Sequence, residues 1–160
     1  MKKTVLYLAN KYKTGILLGL LVILTCSFGP GMTEQEWLDW SNKCLNESYN
    51  PPPEIKLKKW DLMITPTHFI RFSKVYQHGK VEYFAFDLKR FAEVNYMDGN
   101  SADTLQFKTT GKDIIFQTYH DPNGNVDSMT NSINIPVKAM SPERIDSLSD
   151  ALNYFKEKNL

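Results

Sequence analysis

Residues 68–88 read HFIRFSKVYQHGKVEYFAFDL. Apolar and polar side chains alternate on both sides of Gln77-His78-Gly79-Lys80, as in two half-buried strands joined by a tight turn. His68 to Tyr76 puts Ile70, Phe72 and Tyr76 on one face, and Val81 to Leu88 does the same with Phe84, Phe86 and Leu88. Gly79 supplies the positive φ that such a turn requires. A core built on this hairpin is a sheet.

The period of two continues in both directions. Downstream, Phe91 to Tyr96 is a short strand ended by Asp98-Gly99-Asn100. Thr104 to Thr109 turns Leu105 and Phe107 inward, and Thr110-Gly111-Lys112 leads into Asp113 to Tyr119. His120 to Ser132 reads as a polar loop. Ile133, Ile135 and Val137 then face one way, with Pro136 expected at an edge or pointing outward because it lacks a ladder donor. Upstream, Ile55 and Leu57 alternate with Lys56 and Lys58 in a strand that begins at Glu54 and runs to Ile64, before the turn Thr65-Pro66-Thr67.

Two helices flank the strands. Thr33 and Glu36 form a capping box, after which Trp37, Trp40 and Cys44 share one side. The two tryptophans either pack on the domain or lie at a membrane interface. Asn50-Pro51-Pro52-Pro53 ends this helix in a stiff spacer. At the other end Ser141 is a good N-cap, Pro142 fits the first helical position, and Ile145, Leu148, Leu152 and Phe155 make one apolar stripe. Asp146, Asp150 and Glu157 lie on the opposite side. The expected fold is mainly β (α+β): about seven antiparallel strands, in two packed sheets or a barrel, capped by the C-terminal helix. The expected organisation is a leader or anchor over 1–31, a helix and Pro-rich spacer over 32–53, and the β domain over 54–160.

That order of elements, about seven short strands closed by one amphipathic helix, resembles the pleckstrin-homology-like fold from roughly Leu57 to Lys158. The resemblance implies two nearly orthogonal sheets with the helix plugging one corner. It implies no catalytic residues. Basic residues in the first hairpin bind phosphoinositides in many eukaryotic relatives; here Lys74 and Lys80 flank Gln77-His78-Gly79, which is too little for a lipid site.

Residues 16–28, ILLGLLVILTCSF, carry no charge, and Lys2, Lys3, Lys11 and Lys13 precede them. A basic leader before an apolar run of about 7–15 residues is the layout of an export signal. Lysines on that side stay in the cytoplasm and send the following domain outward. Cys26 stands where bacterial lipoproteins carry their lipidated cysteine, and Ile23-Leu24-Thr25-Cys26 resembles their lipobox. It departs from it at Thr25, where a small Gly, Ala or Ser is usual, and at the bulky Leu24. Lipidation at Cys26, an uncleaved anchor and a conventionally cleaved signal therefore stay open. Each places the chain in the cell envelope, on or across the membrane, with the domain outside the cytoplasm.

The overall charge is +1, but beyond residue 26 fifteen basic residues face eighteen acidic ones, a net −3. A nucleic-acid module concentrates positive charge, so nucleic acid is not an expected partner. With Cys26 in or at the membrane, Cys44 has no intramolecular disulfide partner. Asp121, Asn123, Asn125 and Asp127 place oxygens at alternate positions as calcium loops do. Val126 and Ser132 stand where such a loop needs Gly and Glu, so the expectation is an ordinary turn and no metal. His68, His78 and His120 have no zinc-motif spacing. There is no nucleophile elbow and no glycine-rich phosphate loop. Neither catalytic residues nor a cofactor or other small-molecule ligand are expected. The reading is a non-enzymatic interaction module for a protein or peptide that docks at a sheet edge or beside the last helix. The alternative is a hydrolase-like envelope enzyme of unfamiliar pattern.

Overall fold

The computed structural model describes residues 31–99 and 102–158, so the leader and Cys26 lie outside the described residues. Helix α1 spans Glu34–Ser48. Strands β1 (Leu57–Ile64), β2 (Phe69–Tyr76) and β3 (Val81–Asp87) lead to a 3-10 turn at Leu88–Arg90. Then follow β4 (Phe91–Met97), β5 (Asp103–Thr109), β6 (Ile114–Tyr119), β7 (Asp127–Thr130), β8 (Ser132–Val137) and helix α2 (Pro142–Lys158). The strands form two antiparallel sheets, ordered β1-β2-β3-β6-β7 and β4-β5-β8. The chain is thus mainly β with a C-terminal helix, as its periodicity predicts. The described strands are eight rather than about seven, and the two sheets do not close into a barrel.

The opening hairpin forms as its sequence dictates. Ile70 pairs with Phe86 and Phe72 with Phe84. Gly79 takes φ +95°, and Tyr76 N donates to Lys80 O at 2.9 Å across the turn. The return strand stops one residue earlier than its apolar alternation suggests. Asp87 still pairs with Phe69, but its side chain accepts from Lys89 N at 2.9 Å and caps the 3-10 turn that takes Leu88 out of the strand. Residue 54 is likewise not in a strand: Ile55 N donates to Pro52 O at 2.9 Å in a turn, and β1 begins at Leu57.

The core gathers Leu62, Ile64, Ile70, Phe72 and Phe86 from the larger sheet and Phe91, Leu105, Phe107, Ile133, Ile135 and Val137 from the smaller. From α2, Leu148, Ala151, Leu152 and Phe155 are buried, while Asp146, Asp150 and Glu157 are exposed. Ser141 O receives Arg144 N and Ile145 N, with Pro142 at the first helical position. The same core takes Leu38, Cys44, Leu45 and Tyr49 from the 32–53 segment, and the compact unit runs from Glu34 to Leu160. Trp37 and Trp40 pack against this core, with Trp37 6.2 Å from the Tyr154 ring of α2. No described helix is long and apolar enough to cross a membrane.

Candidate binding edge

The sequence reads His120 to Ser132 as loop, but Asp127–Thr130 is a strand. Its four residues pair with Gln117, Phe116, Ile115 and Ile114. With one apolar residue in four, β7 has no alternation to reveal it. What places it is the preceding turn. Thr118 N donates to Val126 O at 2.8 Å, and Val126 N turns to the Thr118 hydroxyl at 2.7 Å.

That contact fixes the phase of the ladder. Bonded and non-bonded pairs alternate along an antiparallel pair. Thr118 with Val126 is bonded, so Phe116 with Ser128 is bonded too, while Gln117–Asp127 and Ile115–Met129 are non-bonded pairs. The backbone N–H and C=O of Asp127 and Met129 therefore point away from β6, off the edge of the sheet. On the outer face beside them, Ile115 is 38% exposed and Met129 53%. On the inner face, Phe84 and Phe116 stack at 4.6 Å and stay half-buried.

The other edges are partly covered or distorted. Asn42 and Asn46 of α1 bond to the backbone of β1 at Ile64 and Leu62. The end of α1 runs along β8, where Asn50 N donates to Pro136 O and Lys138 N to Ser48 O. Pro136 thus sits on an edge strand, as expected. β4 carries a register shift between Phe91 and Glu93 and is flanked by α2. Bulges and coverage are how proteins protect sheet edges.

Three of the calcium-like side chains next to β7, Asp121, Asn125 and Asp127, are turned to other partners. Asp121 Oδ2 pairs with Lys80 Nζ at 2.9 Å, and its Oδ1 accepts from Asn123 N at 3.0 Å. Asn125 Oδ1 accepts from Asp121 N, and Asp127 Oδ1 from the Gln117 amide. Lys80 holds the Asp121 carboxyl below its ordinary range. The described residues contain no group of three or more His, Cys, Asp or Glu side chains placed to hold a metal ion.

Lys80 also joins a second cluster, on the inner face. Glu82 bonds Lys74 at 2.6 Å and Lys80 at 3.1 Å, while Lys74 lies over the rings of Phe72 and Phe84 at 5.5 Å each. Burial pushes the Glu82 carboxyl up, but Lys74, Tyr76 and Lys80 outweigh it and leave Glu82 below its usual range. Burial and Glu82 together push the Tyr49 phenol up to about 12. Each charge here has a partner, so the cluster pins the hairpin.

A cleft of about 430 Å³ lies between α1 and the start of α2, lined by Trp40, Lys43, Cys44, Glu47, Glu143 and Arg144 among others. Arg144 Nε donates to Cys44 Sγ at 3.2 Å, and Nη2 reaches Glu47 at 2.9 Å. Cys44 is free but only 1% exposed, and no imidazole lines the cleft to activate it. The one buried histidine, His68, bonds Glu34 at 3.1 Å and packs its ring, tilted, against Phe155 at 5.2 Å. At the cleft, a backbone bond at Glu143 itself and a hydrogen bond from the Ser141 side chain hold the Glu143 carboxyl, at the start of α2, below its ordinary range. No family model, no curated protein and no solved structure matches this chain.

Proposed function

We propose that this is a membrane-anchored envelope protein whose β unit is a non-enzymatic binding module, and that it engages a protein partner by strand addition at β7. One observation carries the reading: Asp127 and Met129 turn their backbone donors and acceptors off the sheet, next to exposed Ile115. An added strand would meet those groups through main-chain bonds and cover the apolar side chains beside them. The basic leader with its apolar run supports the address. Two packed sheets and a capping helix support kinship with pleckstrin-homology-like domains, which carries no activity of its own.

A photo-crosslinking residue at position 129 of the full chain, expressed in bacterial membranes, tests the edge. Adducts are expected at 129 and not at 157, on the exposed face of α2. Adducts at 157 with none at 129 would move the partner surface to the helix, and no adduct at either would overturn the reading.

A further inference from the structure

We infer that the partner at β7 is a second copy of this chain, joined by antiparallel pairing of the two Asp127–Thr130 strands across a two-fold axis. This rests on the reading of β7 as the binding edge and names its occupant.

The strand is self-complementary in one register. In such a pairing, residues opposite one another must share a sheet face, and the bonded pairs must be residues whose backbone points outward. Asp127 and Met129 are those residues. Three symmetric pairings use them. Setting Asp127 against its own copy opposes two like charges, which destabilises a strand pair. Setting Met129 against its own copy requires Asp127 to pair with Asn131, whose carbonyl already accepts Thr109 N at 3.0 Å. The third sets Asp127 against Met129 of the partner subunit, with the axis between the two Ser128 residues. It uses all four outward groups of each strand.

Charge agrees with this register. Asp127 is the only ionisable residue in β7, and it faces a methionine rather than its copy. The five-stranded sheets of the two subunits then form one continuous sheet. The exposed Ile115 and Met129 of each subunit then lie on one face of it, as two apolar pairs staggered by two residues. The other edge of the larger sheet, β1, has α1 bonded along it at Leu62 and Ile64, so within that sheet β7 is the edge with no helix along it.

Cysteine scanning in the full chain, in membranes under mild oxidation, tests the register. The wild type sets the background from Cys26 and Cys44. Ser128→Cys is expected to give a disulfide-linked dimer, because opposed residues of a non-bonded pair lie about 4.5 Å apart at Cα, within disulfide range. Met129→Cys is expected to stay at background, since two residues of stagger put its copies about 8 Å apart. Background-level linking in both variants, or equal linking in both, would overturn the pairing. A second measurement does not depend on cysteine. Light scattering of the detergent-solubilised wild type should give a dimer, and Met129→Pro should give a folded monomer, because its lost N–H faces the open edge. A wild-type monomer would overturn the inference. Crosslinks from position 129 to a different protein would overturn the second copy and leave the edge reading standing.

Discussion

The Asn42 side chain closes a two-bond ring with the backbone of Ile64: Nδ2 donates to Ile64 O at 3.0 Å, and Oδ1 accepts from Ile64 N at 2.6 Å. One turn further along α1, Asn46 Nδ2 donates to Leu62 O at 2.9 Å. The amides stand in for a neighbouring strand, and so a helix closes the edge of β1.

Asn42→Ala should therefore cost about 1–3 kcal/mol, the penalty for stranding partly buried backbone groups. Asn46→Ala, which removes one bond to Leu62, should cost less. Chemical-denaturation midpoints check the order. An unchanged midpoint for Asn42→Ala would mean that water serves Ile64 equally well.

Calcium should leave the melting temperature unchanged. Asp121 already pairs with Lys80, and the side chains of Asn125 and Asp127 accept bonds from Asp121 N and the Gln117 amide. A ligand bound to the native state would raise the midpoint by mass action. A calcium-dependent rise that disappears in Asp121→Ala would show that the loop rearranges around a cation.

The address has its own test. If Cys26 is lipidated, Cys26→Ala should alter processing and mobility on a gel while fractionation shows what still reaches the membrane. Unchanged mobility with unchanged membrane retention would favour an uncleaved anchor.

The hairpin was legible in the sequence because both of its strands alternate and Gly79 marks the turn. The stripe on α2 was legible for the same reason at helical period. β7 was not, because Asp127, Ser128 and Thr130 leave Met129 with no apolar neighbour in period, and the strand depends on Thr118 holding Val126 across a turn. Nothing in the sequence marks Asn42 and Asn46 as partners of a strand edge, since the groups they bond lie 22 and 16 residues away. Lys74 and Glu82 interrupt an inward-facing row, and only the register that pairs them shows why the interruption is tolerated.

The apolar stripe tests the architecture. Leu148→Ala and Leu152→Ala, at positions with no exposed surface, should each cost about 2–5 kcal/mol. Asp150→Ala, on the exposed side, should change stability by less than about 0.5 kcal/mol. Midpoints that barely move for both leucines would mean that α2 detaches.

The last prediction concerns acid. Glu82 and Lys74 have side-chain exposures of 14% and 18% and are 2.6 Å apart. Burial raises the Glu82 carboxyl, but its bonds to Lys74, Tyr76 and Lys80 lower it further, so its folded value lies below its ordinary one. A carboxylate lowered on folding stabilises the native state above its unfolded value, near 4.3. That contribution is lost as pH falls from there through the folded value. Glu82→Gln should therefore narrow the stability gap between neutral and acid pH, chiefly by lowering stability at neutral pH. At neutral pH, Glu82→Ala should cost up to ~3–5 kcal/mol, because it leaves Lys74 charged among the rings of Phe72 and Phe84. Lys74→Met in the Glu82→Gln background should recover part of the loss by replacing the stranded cation with an apolar side chain. Melting temperatures across pH 3–7 for these three variants and the wild type provide the check. A Glu82→Gln curve parallel to that of the wild type would place the acid sensitivity in other carboxylates.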